Sequence, residues 1–165
     1  MVKLNELLDK YGEYEISEYR LKEILVEPKT KSIWDLKEGD RYWWITSFGL
    51  INVEAWVGGN SDIERRKIGN CFSTEKEAAF ECKRRRVEAI LLKYGRREFK
   101  YSEENYYMYC NLLESSIGIS HCKTRQDQGV IYFDTEELCQ KAIEEAGEDN
   151  IIKKYIFGVD SKWGF

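Results

Sequence analysis

The sequence has little histidine and proline, and it has no long apolar run. There is a single histidine and a single proline, and no segment approaches the roughly 18 apolar residues that a membrane-spanning helix needs. The five cysteines never form a CxxC pair, which argues against a disulfide framework and against a zinc knuckle. Residues 1–15 are charged throughout and lack the apolar stretch of a secretory signal. We therefore expect a cytoplasmic protein with reduced thiols and no membrane partner.

Groups of residues that could carry catalysis are equally scarce. A nucleophile–base pair would need His121, but the adjacent Cys122 would point to the opposite face of a strand. His121 and Cys110 as cross-strand neighbours would supply at most two metal ligands. Gly58 and Gly59 lack the spacing of the known phosphate-binding loops. The sequence therefore predicts a protein that is not an enzyme and that holds no metal and no cofactor.

Aromatic and charged residues are abundant instead. Aromatic side chains make up 14% of the chain, and they serve either as core or as stacking surfaces. Residues 41–100 carry 13 basic and 8 acidic side chains, whereas residues 101–165 carry 6 basic and 12 acidic. A basic middle beside an acidic end can bind an anion, pair within the fold, or pair across an oligomer, so homo-oligomerisation is one expectation.

The pattern of the first 97 residues predicts a helical segment and then one sheet-and-helix module. Helical spacing of leucines, interrupted at Gly12 and Pro28, predicts short helices in a segment spanning residues 1–33. In the module at residues 34–97, strands are predicted at 41–46 and 50–57. A polar loop at 58–62 follows, with the charged run 64–67 in or beside it, and then a short third strand at 71–72. A helix follows, because Thr74 and Glu77 form a capping-box pattern and Gly95 ends the run.

The same order of elements recurs in residues 98–165. Strands are predicted at 105–110, 117–122 and 130–133, followed by a helix that Asp134 caps and Gly147 ends. The junction at residues 69–75 matches that at 129–136 with one inserted residue, which indicates an internal duplication. The predicted fold class is α+β: two tandem βββα modules with antiparallel sheets, forming one compact unit after the helical N-terminal segment.

The candidate binding residues combine cations with aromatic planes. Guanidinium groups hold phosphates, and aromatic planes stack on bases. In the first module the candidates are Tyr42, Trp43, Trp44, Trp56, Arg65, Arg66, Lys67, Arg84, Arg85 and Arg86. In the second module they are Tyr107, Tyr109, His121 and Arg125. The alternative is that the arginines at 84–86 form a solvated helix face paired with nearby glutamates. Because only the first module is basic, nonspecific DNA binding is disfavoured.

Two stretches carry a resemblance to known proteins. The run Trp34–Asp40 with Tyr42–Ile45, continued by residues 69–78, resembles a module of small uncharacterised proteins of phages and prophages of Gram-positive bacteria, clostridia especially. Residues 129–134 and 153–155 resemble the companion module. The junction at residues 72–78 is also similar to that of the arm-type DNA-binding domains of phage integrases, although the acidic second module departs from them.

The resemblance implies a phage setting, in which small non-enzymatic proteins often inhibit host defence. The leading hypothesis is a protein that sequesters a nucleotide immune signal or blocks a defence effector such as a CRISPR complex. The alternative is a nucleic-acid-binding regulator of phage or mobile-element genes. A third option is a structural adaptor that presents surfaces to other phage proteins.

Overall fold

The structure is a computed structural model that describes residues 9–10, 32–114, 116–147 and 149–159. The chain divides into two units, Met1–Lys31 and Ser32–Phe165, and the elements given below belong to the second. The predicted N-terminal helical segment lies almost entirely outside the described residues, and so does the aromatic tail at 160–165. Within the described ranges, no helix has the length and apolar character needed to cross a membrane.

The first predicted hairpin is present. Strand β1 (Arg41–Ile45) pairs antiparallel with β2 (Ile51–Ala55), in a register that sets Tyr42 opposite Glu54. Because side chains alternate along a strand, Tyr42 and Trp44 lie on one face of this hairpin, and Trp43 and Ile45 lie on the other. Both faces of β1 are covered, so this strand lies between two packed clusters of the first half, whereas β2 is largely exposed.

Most of the predicted loop at 58–62, together with the charged run 64–67, is instead a helix, α1 (Asn60–Lys67). Asp62 lies in its first turn, at the positive end of the helix dipole. Arg65, Arg66 and Lys67 lie in its last turn, at the negative end, so the charges at both ends favour the helix. Ile63 packs against the Tyr42 face of the hairpin. The polarity of this stretch indicated a loop. The contact of Ile63 with the hairpin and the charges at the two helix ends stabilise two helical turns instead.

Helix α2 (Glu75–Tyr94) begins and ends where the sequence predicted. The Thr74 hydroxyl accepts a hydrogen bond from the Glu77 amide at 3.2 Å, and the Glu77 carboxylate accepts one from the Ser73 amide at 3.0 Å. These bonds satisfy amides that have no partner within the helix. The buried positions of its first half are Ala78 and Cys82, because the hairpin approaches from that side.

The predicted third strand of the first module is a single bridge, Trp43 to Phe72. The next pair in that register would join Ile45 to Asn70. The Asn70 side chain takes that place: its Oδ1 accepts from the Ile45 amide at 3.1 Å, and its Nδ2 donates to the Ile45 carbonyl at 2.8 Å. A side-chain amide therefore substitutes for main-chain pairing and ends the ladder after one bridge.

The second half has β3 (Asn105–Asn111), β4 (Ser116–Cys122), α3 (Glu136–Ala146) and α4 (Asp149–Tyr155). Strands β3 and β4 pair antiparallel, and Phe133 adds one bridge to Tyr106. The cap of α3 is Thr135, whose hydroxyl accepts from the Leu138 amide at 3.3 Å, and not the predicted Asp134. The Asp134 carboxylate is occupied by Arg96 and Lys100, each at 2.9 Å.

The fold class α+β is confirmed: the described part of the chain contains four α-helices and two antiparallel two-stranded sheets. The largest core cluster joins the second half of α2 to α3, α4 and β3. Its most deeply buried members are Leu91, Phe133, Cys139, Ala142 and Ile152. Helix α2 thus contributes Ala78 and Cys82 to the first half and Val87 and Leu91 to the second, and one helix supports both.

Candidate functional site

The site begins with a buried tyrosine–aspartate pair between β1 and α1. Tyr42 is fully buried, and Asp62 is 3% exposed. The Tyr42 hydroxyl donates to Asp62 Oδ1 at 2.7 Å, and the Val57 amide donates to Asp62 Oδ2 at 3.0 Å. Burial raises the pKa of Asp62, but hydrogen bonds from Tyr42, Val57 and the Gly59 amide outweigh it and hold that pKa below its ordinary value. Asp62 is therefore an ionised anchor that fixes the start of α1 on the hairpin.

Arg65 extends this network towards the surface. Its Nη1 donates to the Tyr42 hydroxyl at 2.7 Å and forms an ion pair with Glu54 on β2. Its guanidinium carbon lies 3.7 Å from the ring centre of Trp44. Burial lowers the pKa of Arg65, but the hydrogen bonds to Glu54 and Tyr42 more than reverse this and raise it. Both hydrogen-bonded contacts of Arg65 use Nη1, so its side chain acts as a structural cation that ties α1 to the hairpin.

Arg66, one residue on, is in a different situation. Its guanidinium carbon lies 4.4 Å from the ring centre of Trp56 and 5.3 Å from that of Trp34. Among the described residues, its side chain has neither a carboxylate partner nor a hydrogen-bond acceptor. Contact with an aromatic ring uses the face of a guanidinium, whereas the N–H donors lie in its plane. Arg66 is thus held in place with its donors available.

Trp34 supplies the exposed aromatic surface of this site. It lies in a single 3-10 turn, Ile33–Asp35, where the Ser32 hydroxyl accepts a hydrogen bond from its amide at 3.2 Å. It is 66% exposed, whereas Trp56 is only 7% exposed. We call the group Trp34, Trp56 and Arg66 the tryptophan–arginine site. A planar ring could stack on Trp34 while Arg66 binds an attached anion.

Two further groups border the site. The Trp44 indole Nε1 is buried and has no hydrogen-bond partner among the described residues. The buried Cys71 thiol belongs to the same cluster as Tyr42 and Trp56. Burial raises the pKa of Cys71 to about 11, so the thiol is protonated and unreactive at neutral pH.

The structure brings together only some of the predicted first-module residues. Tyr42, Trp44, Trp56, Arg65 and Arg66 share one cluster. Trp43 lies on the opposite face of the hairpin, packed towards α2. Lys67 pairs with Glu64 at 2.8 Å. Tyr42 is buried and so offers no ring surface to a ligand.

The three arginines of α2 are engaged within the fold. Arg84 and Arg85 both bind Glu81, at 2.6 and 2.8 Å, and Arg84 also reaches Glu88 at 3.3 Å. Glu81 holds the pKa of Arg84 well above its usual range, although burial opposes this. Arg86 donates to the Gly49 carbonyl at 3.3 Å. This geometry matches the alternative that the sequence left open, a paired helix face.

The candidates of the second module are dispersed. Tyr107 packs edge-on against Tyr132 with the ring centres 6.4 Å apart, and the ring of Tyr109 lies over Gly118. His121 lies beside Tyr106, 5.4 Å between ring centres. Arg125 pairs with Asp127 at 3.1 Å. They do not form a second tryptophan–arginine arrangement.

Sequence reasoning missed Trp34, Glu54 and Asp62 as site residues. Trp34 stands in the Trp34–Asp40 motif, but nothing local indicates that it reaches Arg66. Asp62 follows Gly58-Gly59-Asn60-Ser61, which reads as a loop. Its position three residues after Gly59 was the available signal, because an acidic residue there can bind the cap amide of a helix.

Outside this site, α2 carries an open groove of ≈ 390 Å³ lined by Phe72, Lys76, Glu77, Phe80 and Glu81. The described residues contain no group of three or more histidine, cysteine, aspartate or glutamate side chains able to hold a metal ion. In comparisons with known proteins, no family model, no curated protein and no solved structure matches the chain.

Proposed function

We propose that this chain is a non-enzymatic binding protein that captures a nucleotide-class ligand at the tryptophan–arginine site. The carrying observation is Arg66, whose guanidinium is oriented by two indoles while its in-plane donors have no partner among the described residues. A phosphate bound at this edge would gain charge-assisted hydrogen bonds. A base stacked on the exposed ring of Trp34 would add aromatic contact.

The biological setting in this proposal comes from the phage resemblance. The protein would act in the host cytoplasm as a phage-encoded inhibitor of host defence, by sequestering a nucleotide immune signal. Blocking a defence effector such as a CRISPR complex is the other form of the same proposal, and it would need no small ligand.

The duplicated βββα origin also belongs to this proposal. Phe72 and Phe133 each make one bridge to the first strand of their hairpin, and each stands two residues before the threonine that caps the next helix. We propose that the halves share an ancestor and that α1, with Arg65 and Arg66, is specific to the first. The binding site would then belong to one half only.

A nucleic-acid-binding regulator has less support. That alternative uses Arg65, Arg66 and the arginines at 84–86 as phosphate contacts, and all of these except Arg66 bind glutamates, the Tyr42 hydroxyl or backbone carbonyls of the fold. Breaking such contacts would offset part of the gain from binding phosphates.

Titration calorimetry with cyclic mononucleotides, cyclic dinucleotides and ADP-ribose tests the proposal. We expect one of them to bind, and Arg66→Gln to weaken that binding about tenfold to a hundredfold, because hydrogen bonds to charged groups contribute about 1.5–3 kcal/mol. Lys67→Gln is the matched control: it removes a neighbouring cation that pairs with Glu64, and we expect a change below about threefold.

The outcomes distinguish nucleotide sequestration from the blocking of a defence effector. Absence of heat with all three classes removes sequestration and leaves effector blocking, for which a pull-down from infected cells is the test. Equal affinities of wild type and Arg66→Gln would show that binding occurs elsewhere. Urea unfolding of both variants checks that neither substitution acts through stability.

A further inference from the structure

The outer edge of β2 carries unpaired main-chain groups. Hydrogen bonds from the Thr46 amide to the Leu50 carbonyl and from the Trp56 amide to the Asp40 carbonyl, both 2.8 Å, bracket the hairpin. In an antiparallel pair, hydrogen-bonded and non-hydrogen-bonded positions alternate. Between these two bonds, Asn52 and Glu54 therefore bond to β1, and the amides and carbonyls of 51, 53 and 55 point away from it.

In the part of the chain that the structure describes, nothing pairs with those outward groups. All of β2 except the half-buried Ile51 is exposed, and Val53 is 51% exposed. Edge strands are usually protected by lysine, proline or a bulge, and β2 contains none of these. Its single charge, Glu54, pairs with Arg65 of the same chain.

The sequence of β2 is self-complementary about Val53. If a second copy adds its β2 antiparallel with a two-fold axis at Val53, then Val53 faces Val53 of the second copy and Ile51 faces Ala55. Asn52 faces Glu54 of the second copy, so no like charges stand opposite each other. The outward amides and carbonyls of both strands then pair directly.

We propose that the protein forms a two-fold symmetric dimer in which two β2 strands pair and create a four-stranded sheet in the order β1–β2–β2–β1. A second copy fits this edge better than an unrelated extended peptide because of the charge-compatible register and because a C2 interface requires a self-complementary patch. The proposal is independent of the proposed ligand.

Sedimentation velocity of the full-length protein across the micromolar range is the first test, and we expect a concentration-dependent dimer. Val53→Pro removes an amide that makes no bond within the described residues, so it should abolish the dimer while the fold persists. Val53→Lys should also abolish the dimer, because a lysine on an edge strand opposes pairing with a second strand. It replaces the proline variant if that variant does not fold. Leu113→Lys, on a 96% exposed side chain in the β3–β4 turn, is the control and should leave the dimer unchanged.

The register is tested separately at Asn52. Asn52→Lys places a cation opposite Glu54 of the second copy twice per dimer, and Asn52→Asp places an anion there. We expect the dimer dissociation constant to fall about tenfold with lysine and to rise about tenfold with aspartate. A wild type that stays monomeric, a dimer that survives both Val53 variants, or two Asn52 variants that shift the constant in the same direction would overturn the proposal.

Discussion

At the scale of single residues, the protein depends on polar groups that are buried together. The Tyr42 hydroxyl donates to Asp62 and accepts from Arg65, both at 2.7 Å. A buried polar group is costly unless it is hydrogen-bonded. Here the Tyr42 hydroxyl hydrogen-bonds to both Asp62 and Arg65, and these bonds join α1 to the hairpin that carries Trp44.

Removing one hydroxyl tests this network. Tyr42→Phe leaves the buried Asp62 carboxylate without one donor and Arg65 without one acceptor, so we expect a loss of about 2 kcal/mol in the free energy of unfolding. Chemical denaturation by urea measures it. Tyr109→Phe is the control, because Tyr109 is 42% exposed and its hydroxyl makes no hydrogen bond among the described residues; a change below about 0.5 kcal/mol is expected there. Equal effects of the two substitutions would contradict the role of the network.

At the scale of elements, the start of α2 and the two hairpins are the features that the sequence marks best. The capping-box pattern of Thr74 and Glu77 predicted the start of α2, because a helix cap depends only on residues close together in the sequence. The two hairpins were equally visible as aromatic, β-branched runs. The third strands were not predictable in the same way, since whether Asn70 pairs through its main chain or its side chain depends on how Ile45 approaches it.

The sequence pattern did not predict helix α1, because the capping motif at its start is incomplete. Gly59 is the cap residue and has no side chain to accept a hydrogen bond from the amides of the first turn, although its own amide binds the Asp62 carboxylate. Asp62 therefore supplies one half of a capping box, and the other half is missing.

A serine at position 59 should complete that box. The backbone of Gly59 is extended, with φ of −71°, and an added Cβ would meet the nearest atom, Val57 Cγ2, at an ordinary 3.7 Å. We expect Gly59→Ser to raise the free energy of unfolding by about 0.5–1 kcal/mol. Gly58→Ser is the matched control and should lower it, because Gly58 has φ of +70°. Thermal and urea unfolding of both variants measure the signs, and a shared sign would refute the cap assignment.

At the scale of the whole molecule, ion pairs and buried carboxylates make stability depend on pH. Hydrogen bonds from Arg84 and Arg85 lower the pKa of Glu81 against its burial. Lys100 and Arg96 lower that of Asp134, and Asp62 is lowered despite its burial. In each case the folded state favours the ionised carboxylate more than the unfolded state does.

Acid should therefore destabilise the fold. A carboxylate with a lowered folded pKa contributes its full stabilisation above its unfolded value, and the contribution is lost as pH falls through the folded value. We expect the free energy of unfolding to fall between about pH 5 and pH 2, measured by urea titrations at fixed ionic strength. Asp62→Asn should lose less on acidification than wild type, because one titrating group is gone. A free energy that stays constant from pH 6 to pH 3 would contradict the assignment.

The sequence by itself determined the α+β class, the two hairpins, and the bounds of α2, because alternation, capping and glycine stops act between residues close in the chain. Tertiary structure decided which arginine side chains are paired with carboxylates of the fold and which are not. Arg65, Arg66 and Arg84 are equivalent as letters, yet one is paired with Glu54, one is held by two indoles, and one is bound to Glu81. Tertiary structure also decided that α1 is a helix, since Asp62 and Tyr42 are 20 residues apart. Whether a charge is available depends on what distant side chains it meets, and local sequence does not record that.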